Sequence, residues 1–313
     1  MVCIRERRLL DRFRRRLEVL RNQPVARHQP IKVLLRFANA EIINAWLRYP
    51  FIVSHEFGAL LIVEKGHHAT RSHYFFGLQD FVDELFAIHF LRKDELFIDI
   101  GANLGIFSIM VAAATRARVI AVEPSPSSSR VFKRHIALND LMDRITVVEA
   151  CAGDSNVAAF IKNTVDMDNF IVLASADSQP DMAKIPMIRI DDVVDGTIPS
   201  VMKMDVEGFE MQALKGATRL LDSQNLQAIT IEISDLSNRF GVSPEETHKF
   251  ITSFGFTTVT YDPLTRALSA VAPPDRSQKM TLYNYKTIYV RNLDEAGRRL
   301  SSAPRRRLHT LTI

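Results

Sequence analysis

The sequence predicts an α/β protein built on a doubly wound, mainly parallel sheet. From Glu95 onward, β-branched apolar stretches alternate with helical stretches, a glycine turn follows the first of them, and 313 residues with 47% apolar side chains suffice for a large core. The predicted strands are Leu96–Ile100, Arg118–Glu123, Ile145–Glu149, Val201–Asp205 and Ala228–Ile233. The predicted helices are Gly105–Ala114, Pro126–Leu138, Phe209–Leu221 and Pro244–Phe254. In such sheets ligands bind above the carboxyl ends of the strands, so we expect the functional residues there.

The remaining segments are predicted to flank this sheet. Strands at Thr257–Tyr261 and Thr287–Val290 could pair antiparallel at its edge, whereas Ala158–Asp191 fits the alternation poorly and is interpreted as an insertion. Residues 51–77 have the pattern of short strands and turns, and helices are predicted at Arg5–Arg21, Ile31–Leu47 and Asp80–Leu91. We therefore predict an N-terminal extension at 1–76, an α/β domain at 77–290 and a basic C-terminal tail at 291–313.

The positive charge of the chain lies at its two ends. Residues 1–30 carry nine Arg and three acidic residues, a net +6, and residues 291–313 carry six Arg and two acidic residues, a net +4. Because the whole chain is at +4, the body between them is at −6. This distribution disfavours a nucleic-acid substrate, although a basic tail could tether one. The amphipathic Arg5–Arg21 is interpreted as a peripheral contact with an anionic membrane or a partner, or else as an ordinary surface helix.

Cysteine usage and hydropathy predict a cytoplasmic protein. Cys3 and Cys151 are too far apart in the chain for a disulfide framework or a metal cluster, and unpaired thiols are typical of a reducing compartment. No apolar stretch approaches the roughly 18 residues that span a bilayer, and arginines interrupt the N-terminus where a signal peptide would be apolar. The sequence does not indicate an oligomeric state.

A glycine turn directly follows the first predicted strand. Gly101 would allow the chain to turn tightly, and Gly105 would let a ligand approach the start of the next helix. Asp99, at the end of the strand, could accept a hydrogen bond from an ammonium group or a loop amide. The turn departs from the dinucleotide pattern G-x-G-x-x-G, because Asn103 stands where its second glycine would be. Taken alone, the turn could equally be structural.

Acidic residues follow the next two predicted strands. Glu123 ends the second strand, and a carboxylate there can accept hydrogen bonds from both ribose hydroxyls of a nucleoside. NAD also contains ribose hydroxyls that a carboxylate can hold, so Glu123 alone does not show which nucleoside cofactor would bind. After the third strand, Asp154 could contact an adenine amino group, but Gly-Asp is also an ordinary turn.

The fourth predicted strand ends in a run of charges. Lys203, Asp205 and Glu207 share one face if the strand stays extended through them. Charges at the end of a buried strand are costly unless they face a cleft. Together they could orient a hydroxyl group and accept its proton, with a structural Lys–Glu pair as the main alternative. Glu232, on the fifth strand, is another acid that could line the same cleft.

These residues give the chain a resemblance to the FkbM family of class I methyltransferases. The principal motifs are FIDIGANLG at 97–105, VEPSP at 122–126, KMDVEGFE at 203–210 and LKGA at 214–217. Secondary resemblances are GLQDF at 77–81, IALN at 136–139 and IEIS at 231–234. The resemblance covers about residues 77–290, and the order and spacing of its motifs make it specific.

The resemblance implies a Rossmann-like methyltransferase fold, S-adenosyl-L-methionine (SAM) as methyl donor and a hydroxyl group as acceptor. The usual acceptors are implied to be sugar hydroxyls in oligosaccharides or hydroxyls on macrolide-type natural products. By position, four residues are implied to hold the methionine end of the donor: Asp99, Gly101, Asn103 and Gly105. Glu123 is implied to hold the ribose, and Asp205 and Glu207 to lie near the transferred methyl group.

Other functions remain open at this stage. A nicotinamide-dependent dehydrogenase, an RNA methyltransferase and a non-catalytic SAM-binding protein are the alternatives to O-methylation. A metal site is not predicted, because two acids and a lysine make a poor oxygen cage for a divalent cation. The acceptor pocket is expected to involve residues 155–195 and the N-terminal segment. There His67, His68 and His73 are either acceptor contacts or surface residues.

Overall fold

The strands and helices were located in a computed structural model that describes residues 31, 33–36, 39, 50–64, 66–162, 171–172, 182–194, 196–271, 286–308 and 311–312. The strands are β1 Phe51–Ser54, β2 Leu60–Val63, β3 Leu96–Ile100, β4 Arg118–Val122, β5 Ile145–Val148, β6 Cys151–Ala152, β7 Ala158–Lys162, β8 Ile171–Val172, β9 Met182–Ile188, β10 Val201–Met204, β11 Ala228–Glu232, β12 Thr257–Tyr261, β13 Leu268–Ala270, β14 Lys286–Val290, β15 Arg307–Leu308 and β16 Leu311–Thr312. The helices are α1 His68–Phe76, α2 Phe81–Phe90, α3 Ile106–Thr115, α4 Pro126–Leu138, α5 Ile190–Val193, α6 Glu210–Lys215, α7 Thr218–Asp222, α8 Pro244–Ser253 and α9 Leu293–Ser301. Short 3-10 turns occupy Glu56–Gly58 and Asp235–Phe240.

An eight-stranded sheet with the order β13-β12-β14-β11-β10-β3-β4-β5 forms the centre of the molecule. Strands β5, β4, β3, β10 and β11 are parallel neighbours, whereas β14 runs antiparallel to both β11 and β12. From β3 the chain adds strands toward one edge, and from β10 it adds them toward the other. The predicted doubly wound, mainly parallel sheet is therefore confirmed, and its strand order reverses between β3 and β10.

Both faces of this sheet are covered, which is why its central strands are largely apolar. Phe97 of β3 packs with α2 and α3 on one face, and Ile98 and Ile100 pack with α6 and α7 on the other. Burial of a side chain of this size contributes about 2–3 kcal/mol. Since side chains alternate along a strand, Asp99 points to the same face as Phe97. The chemistry of β3 therefore faces α2 and α3.

Local signals explain where the covering helices begin. Ser125 caps α4 by accepting a hydrogen bond from the Ser128 amide at 3.3 Å, with Pro126 at the first helical position. At α8 the Ser243 hydroxyl and the Glu246 carboxylate form a reciprocal capping box. Each such cap is worth about 1 kcal/mol.

Outside the large sheet, the remaining strands form smaller sheets. Strands β1 and β2 pair as an antiparallel hairpin. A four-stranded sheet with the order β6-β9-β7-β8 combines β6 with three strands from the segment predicted as an insertion. Every helix within the described part of the chain is too short or not apolar enough to cross a membrane.

Several sequence predictions need correction. The stretch predicted as strands and turns up to residue 77 includes helix α1, and the single helix predicted at Phe209–Leu221 is two helices, α6 and α7. It is interrupted around Gly216, where an added Cβ would come within 1.9 Å of the Gly153 carbonyl oxygen. Part of the predicted basic tail is helix α9, whose Arg299 pairs with Glu95. Arg5–Arg21 lies outside the described residues, and of Ile31–Leu47 only residues 31, 33–36 and 39 are described, all helical.

Candidate active site

The carboxyl ends of β3 and β10 meet where the strand order reverses, and a buried ion pair lies there. Lys203 is the register partner of Asp99 on the neighbouring strand, and its Nζ lies 3.1 Å from Asp99 Oδ1. It also donates to the Gly101 carbonyl oxygen at 2.8 Å, while Ser108 Oγ of α3 donates to Asp99 Oδ2 at 2.6 Å. Both members of the pair are less than 5% exposed. A buried pair of this kind is expensive to break, because removing one partner leaves an isolated charge.

Internal packing accounts for both glycines of the turn. Gly101 and Gly105 have φ values of +76° and +74°, in the left-handed region that favours glycine. A Cβ on Gly101 would come within 1.8 Å of the Asp205 carbonyl oxygen, and one on Gly105 within 1.9 Å of the Phe132 ring. The sequence reasoning attributed Gly105 to ligand approach. The structure attributes it to the close packing of Phe132 in α4, and a role in cofactor binding stays a prediction.

Glu123 lies at the end of β4 and ties the glycine turn to the next loop. Its Oε2 accepts a hydrogen bond from the Asn103 amide at 2.7 Å, and its Oε1 accepts one from the Ser125 amide at 2.8 Å. The side chain is buried, and burial raises the pKa of its carboxyl to about 7 although the two amides favour the ionised form. Each carboxylate oxygen has two lone pairs, so Glu123 keeps acceptor positions for further donors.

A second charged group lies beside the first, beyond the end of β10. Lys286, the first residue of β14, has its Nζ 3.1 Å from Asp205 Oδ2 and donates to Asp80 Oδ2 at 2.6 Å. Glu232, at the end of β11, lies beside Asp205, because Met204 and Ile231, the residues before them, are register partners. Lys203 Nζ lies 3.9 Å from Asp205 Oδ2. Lys203 therefore connects the Asp99 ion pair to the Lys286 ion pairs, and we call these linked side chains the charged row. Sequence reasoning identified Asp205 and Glu232, but it missed Lys286 and Asp80.

The loop after β10 does not keep the extended path that sequence reasoning assumed. Strand β10 ends at Met204, and Glu207 is exposed and adopts a φ of +55°. Alternation therefore does not place Glu207 on the face of Lys203 and Asp205. Glu210, which sequence reasoning missed, is buried and accepts hydrogen bonds from the amides of Val206 at 3.3 Å and Gly208 at 3.1 Å. Its role is to hold this loop in shape.

His135 is a further residue that the sequence did not reveal. Its Nδ1 donates to the Leu104 carbonyl oxygen at 2.9 Å, and its Nε2 accepts from the Ile62 amide at 3.0 Å. These bonds require a neutral ring, and burial lowers the pKa of His135 accordingly. The histidine thereby links the glycine turn to hairpin strand β2. In the sequence, the one signal for a buried His135 is its position on the apolar face of α4.

The other predicted contacts lie elsewhere. Asp154 is exposed, accepts a hydrogen bond from Ser155 Oγ at 3.0 Å and follows β6, which pairs with β9 rather than with the large sheet. Its contact with adenine stays a prediction. His73 is buried, with Nε2 2.9 Å from Glu84 Oε1, and His67 is buried too, so of the three predicted histidines only His68 is at the surface.

A cavity of about 550 Å³ lies at the other end of β10. It is lined by residues that precede or pack beside the start of that strand: Asp191, Asp192, Val194, Gly196, Ile198 and Arg219. The Asp191 carboxylate already accepts hydrogen bonds from two backbone amides at the start of α7. Ligands of parallel sheets bind at the carboxyl ends, so we do not assign this cavity to the active site.

The side chains around the glycine turn fit SAM better than a dinucleotide. Glu123 offers anionic acceptors for ribose hydroxyls, and the acids nearby suit a ligand that carries an ammonium and a sulfonium group. A pyrophosphate would meet Asp99 and Glu123, while Lys203 is already engaged by Asp99 and Gly101. Among the described residues, no group of three or more His, Cys, Asp and Glu side chains is arranged to hold a metal ion.

Comparison with known proteins identifies the family. Residues 99–258 match the Methyltransferase FkbM domain, which is half of the chain. The chain belongs to the FkbM methyltransferase family. The family resemblance seen in the sequence motifs is thus confirmed, and the match includes Glu123, Asp205 and Glu232 but neither Asp80 nor Lys286.

The individual relatives are distant in sequence. Hexuronic acid methyltransferase AglP of Haloferax volcanii is 27% identical over 175 residues, which cover 51% of this chain and 62% of AglP. Methyltransferase 1 of Beauveria bassiana is 22% identical over 189 residues, 52% of this chain and 74% of that protein. The crystal structure of methyltransferase FkbM from Methylobacillus flagellatus aligns with a TM-score of 0.43 at 19% identity, covering 71% of this chain and 52% of that one. The chain thus spans less than two thirds of AglP and about half of the Methylobacillus protein.

Proposed function

We propose that this chain is a SAM-dependent O-methyltransferase whose acceptor is a hydroxyl group of a sugar, a glycan or another natural product. The observation that carries the proposal is the placement of three acids at the reversal of the strand order. Asp99, Glu123 and Asp205 come from the ends of adjacent parallel strands, beside a glycine turn that opens a helix. Membership of the FkbM family supports methyl transfer, and the name of AglP supports a sugar acceptor.

The residues divide the work between donor and acceptor. Glu123 would hold the ribose hydroxyls, and the turn from Asp99 to Gly105 would hold the methionine end, with Asn103 contributing to it. When bound, SAM supplies a methyl group on a sulfonium, which is a strong electrophile. The protein then needs to align the acceptor oxygen and remove its proton. Asp205 is the candidate for that proton, Lys203 positions it through the charged row, and Glu207 lies on the loop that follows.

The charges of the site favour a hydroxyl acceptor over the alternatives. An RNA substrate would bring phosphates toward Asp80, Asp205 and Glu207, which disfavours their approach. The pyrophosphate of a nicotinamide dinucleotide would need to approach the backbone closely at the second glycine of G-x-G-x-x-G, and Asn103 stands at that position. A non-catalytic SAM-binding protein would leave the buried row of acids and lysines beside the turn without a chemical role.

Calorimetric titration with S-adenosylhomocysteine, with NAD in parallel, tests the cofactor. Micromolar binding of S-adenosylhomocysteine alone supports the proposal, whereas binding of NAD alone overturns it. Sugars and glycans are then screened with isotope-labelled SAM. Asp205→Asn and Glu207→Gln should slow turnover while cofactor binding is retained. Full activity in both variants would remove these residues as proton acceptors.

Location and partners belong to the same proposal. We expect a cytoplasmic enzyme that does not act on nucleic acid. The basic segment Arg5–Arg21, predicted from the sequence as an amphipathic helix, is the candidate for a peripheral membrane contact, with an ordinary surface helix as the alternative. Deletion of residues 1–30 should spare S-adenosylhomocysteine binding and reduce association with anionic liposomes. Unchanged liposome association would exclude the membrane contact.

A further inference from the structure

Lys286 lies between acids that three other elements bring together. Asp80 belongs to the start of α2, Asp205 follows β10 and Glu232 ends β11, where its register partner on β14 is Lys286 itself. The Lys286 side chain is 9% exposed and contacts Asp80 at 2.6 Å and Asp205 at 3.1 Å. Its surroundings raise the pKa of this lysine well above the ordinary value, because the attraction of Asp80 and Asp205 outweighs burial.

Asp205 and Glu232 are neighbouring acids at the ends of adjacent parallel strands, since Met204 and Ile231 before them are register partners. Repulsion between two negative charges opposes ionisation of both. The two lysines favour the charge on Asp205, because Lys286 and Lys203 both lie within 4 Å of Asp205. Burial opposes the charge on Asp205, yet the lysines lower its pKa to about 2. Burial and the neighbouring Asp205 raise the pKa of Glu232 to about 8.

We propose that Lys286 is a positioning residue, which keeps the negative charge of the Asp205–Glu232 pair on Asp205 and so prepares Asp205 to take the acceptor's proton. This inference rests on the proposed O-methylation. In that step the acceptor oxygen bonds to the methyl carbon while the carbon–sulfur bond breaks. The hydroxyl proton passes to Asp205, so the sulfonium and the carboxylate are both neutral afterwards.

The sign of the effect distinguishes positioning from structural support. Lys286→Met removes the cation beside the pair, so the apparent pKa values of both its ionisations should rise, the first by about one unit or more. Asp80→Asn removes a competing negative charge, so both apparent pKa values should fall. Lys286→Arg keeps the charge and should stay close to wild type. Loss of packing alone would not shift the pKa in opposite directions.

Other titratable groups surround the pair, and comparison of wild type with Glu232→Gln separates their titration from that of the pair. Asp83 faces Lys286 from α2, Lys203 comes from β10, and Glu207 and Glu210 come from the loop and helix α6. Burial raises the pKa values of Asp83 and Glu210 to about 7, so both titrate at a pH close to that of Glu232. Glu232→Gln removes the carboxyl of the pair that has the higher pKa. The difference between the wild-type and Glu232→Gln titration curves therefore reports Glu232.

Two measurements test the proposal, and the first needs no cofactor. Infrared difference spectra of the unloaded protein follow the carbonyl band of protonated carboxyl groups against pH. We expect a band that is absent in Glu232→Gln, shifted upward in pH in Lys286→Met and downward in Asp80→Asn. Lys133→Met, which removes an exposed lysine paired with Glu149, is the control and should match wild type. Identical titrations in wild type, Lys286→Met and Asp80→Asn would overturn the assignment.

The second measurement is the pH profile of kcat with the acceptor found by screening. Lys286→Met should move the acid limb of the profile upward by about one pH unit or more, with S-adenosylhomocysteine affinity unchanged. An unshifted acid limb would refute the positioning role. If wild type transfers no methyl group at all, the proposed function fails, while the infrared titration still decides the charge state of the pair. If Lys286→Met does not fold, Asp80→Asn and Lys286→Arg carry the same test.

Discussion

Replacing Glu123 with glutamine should remove a pH-dependent loss of stability and weaken the protein's hold on the cofactor. The carboxyl is buried between the amides of Asn103 and Ser125, at 2.7 and 2.8 Å. Its pKa is 4.5 when unperturbed and about 7 in the fold, because burial disfavours the charge more than the two amides favour it. Glutamine has nearly the same shape and cannot ionise. Its NH2 group cannot accept from the second amide, which costs stability by the same amount at every pH.

The magnitude follows from proton linkage. A carboxyl whose pKa is raised by folding stabilises the fold fully below its unfolded pKa, and this contribution is lost as the pH rises through its folded pKa. Wild type should therefore lose up to about 1.4 kcal/mol per pH unit from this group between pH 4.5 and 7, relative to Glu123→Gln. Over that window the difference accumulates to about 3 kcal/mol and then levels off. Denaturant unfolding of both proteins at several pH values measures it.

Cofactor binding should weaken in the same variant. The ionised carboxylate can accept charge-assisted bonds from two ribose hydroxyls, whereas glutamine offers one neutral acceptor. A loss of about 1.5–3 kcal/mol corresponds to roughly ten- to a hundredfold weaker S-adenosylhomocysteine binding. Glu149→Gln is the control, because Glu149 ends the neighbouring strand but is exposed and paired with Lys133. Unchanged affinity in Glu123→Gln would remove the ribose role, and a stability difference independent of pH would refute the burial argument.

Further variants test the packing of the turn and the buried pair by denaturant unfolding. Gly105→Ala should cost about 2–4 kcal/mol, because its Cβ would overlap the Phe132 ring at a φ of +74°. Gly297→Ala, in helix α9 with no atom within 4 Å of the added Cβ, should instead stabilise by about 0.5–1 kcal/mol, and equal effects at the two glycines would contradict the packing argument. Lys203→Met should cost about 3–5 kcal/mol by leaving Asp99 buried without its cation, and adding Asp99→Asn should restore part of that loss.

The parallel strands and the turn could be predicted closely because their cause is local. A strand buried on both faces is an uninterrupted apolar run, and β3 and α4 begin and end at the predicted residues. Helix α1 was missed because His, Thr, Ser and aromatic residues have modest helix propensity, and packing of Phe75 stabilises it instead. Likewise the path of Glu207 depends on how Glu210 binds the loop amides, which no pattern in the sequence reports.

Lys286 escaped prediction for a reason that is general to mixed sheets. In parallel strands the residues that reach the active edge come last, so Asp99, Glu123 and Asp205 could be found by inspecting strand ends. Strand β14 runs antiparallel, and its first residue is the one opposite Glu232 at that edge. The acids nevertheless contained a hint, because several buried carboxylates with Lys203 as the only predicted cation would be too costly together. A second cation had to come from an element outside the parallel set, and the start of the antiparallel strand is the position from which a lysine can reach them.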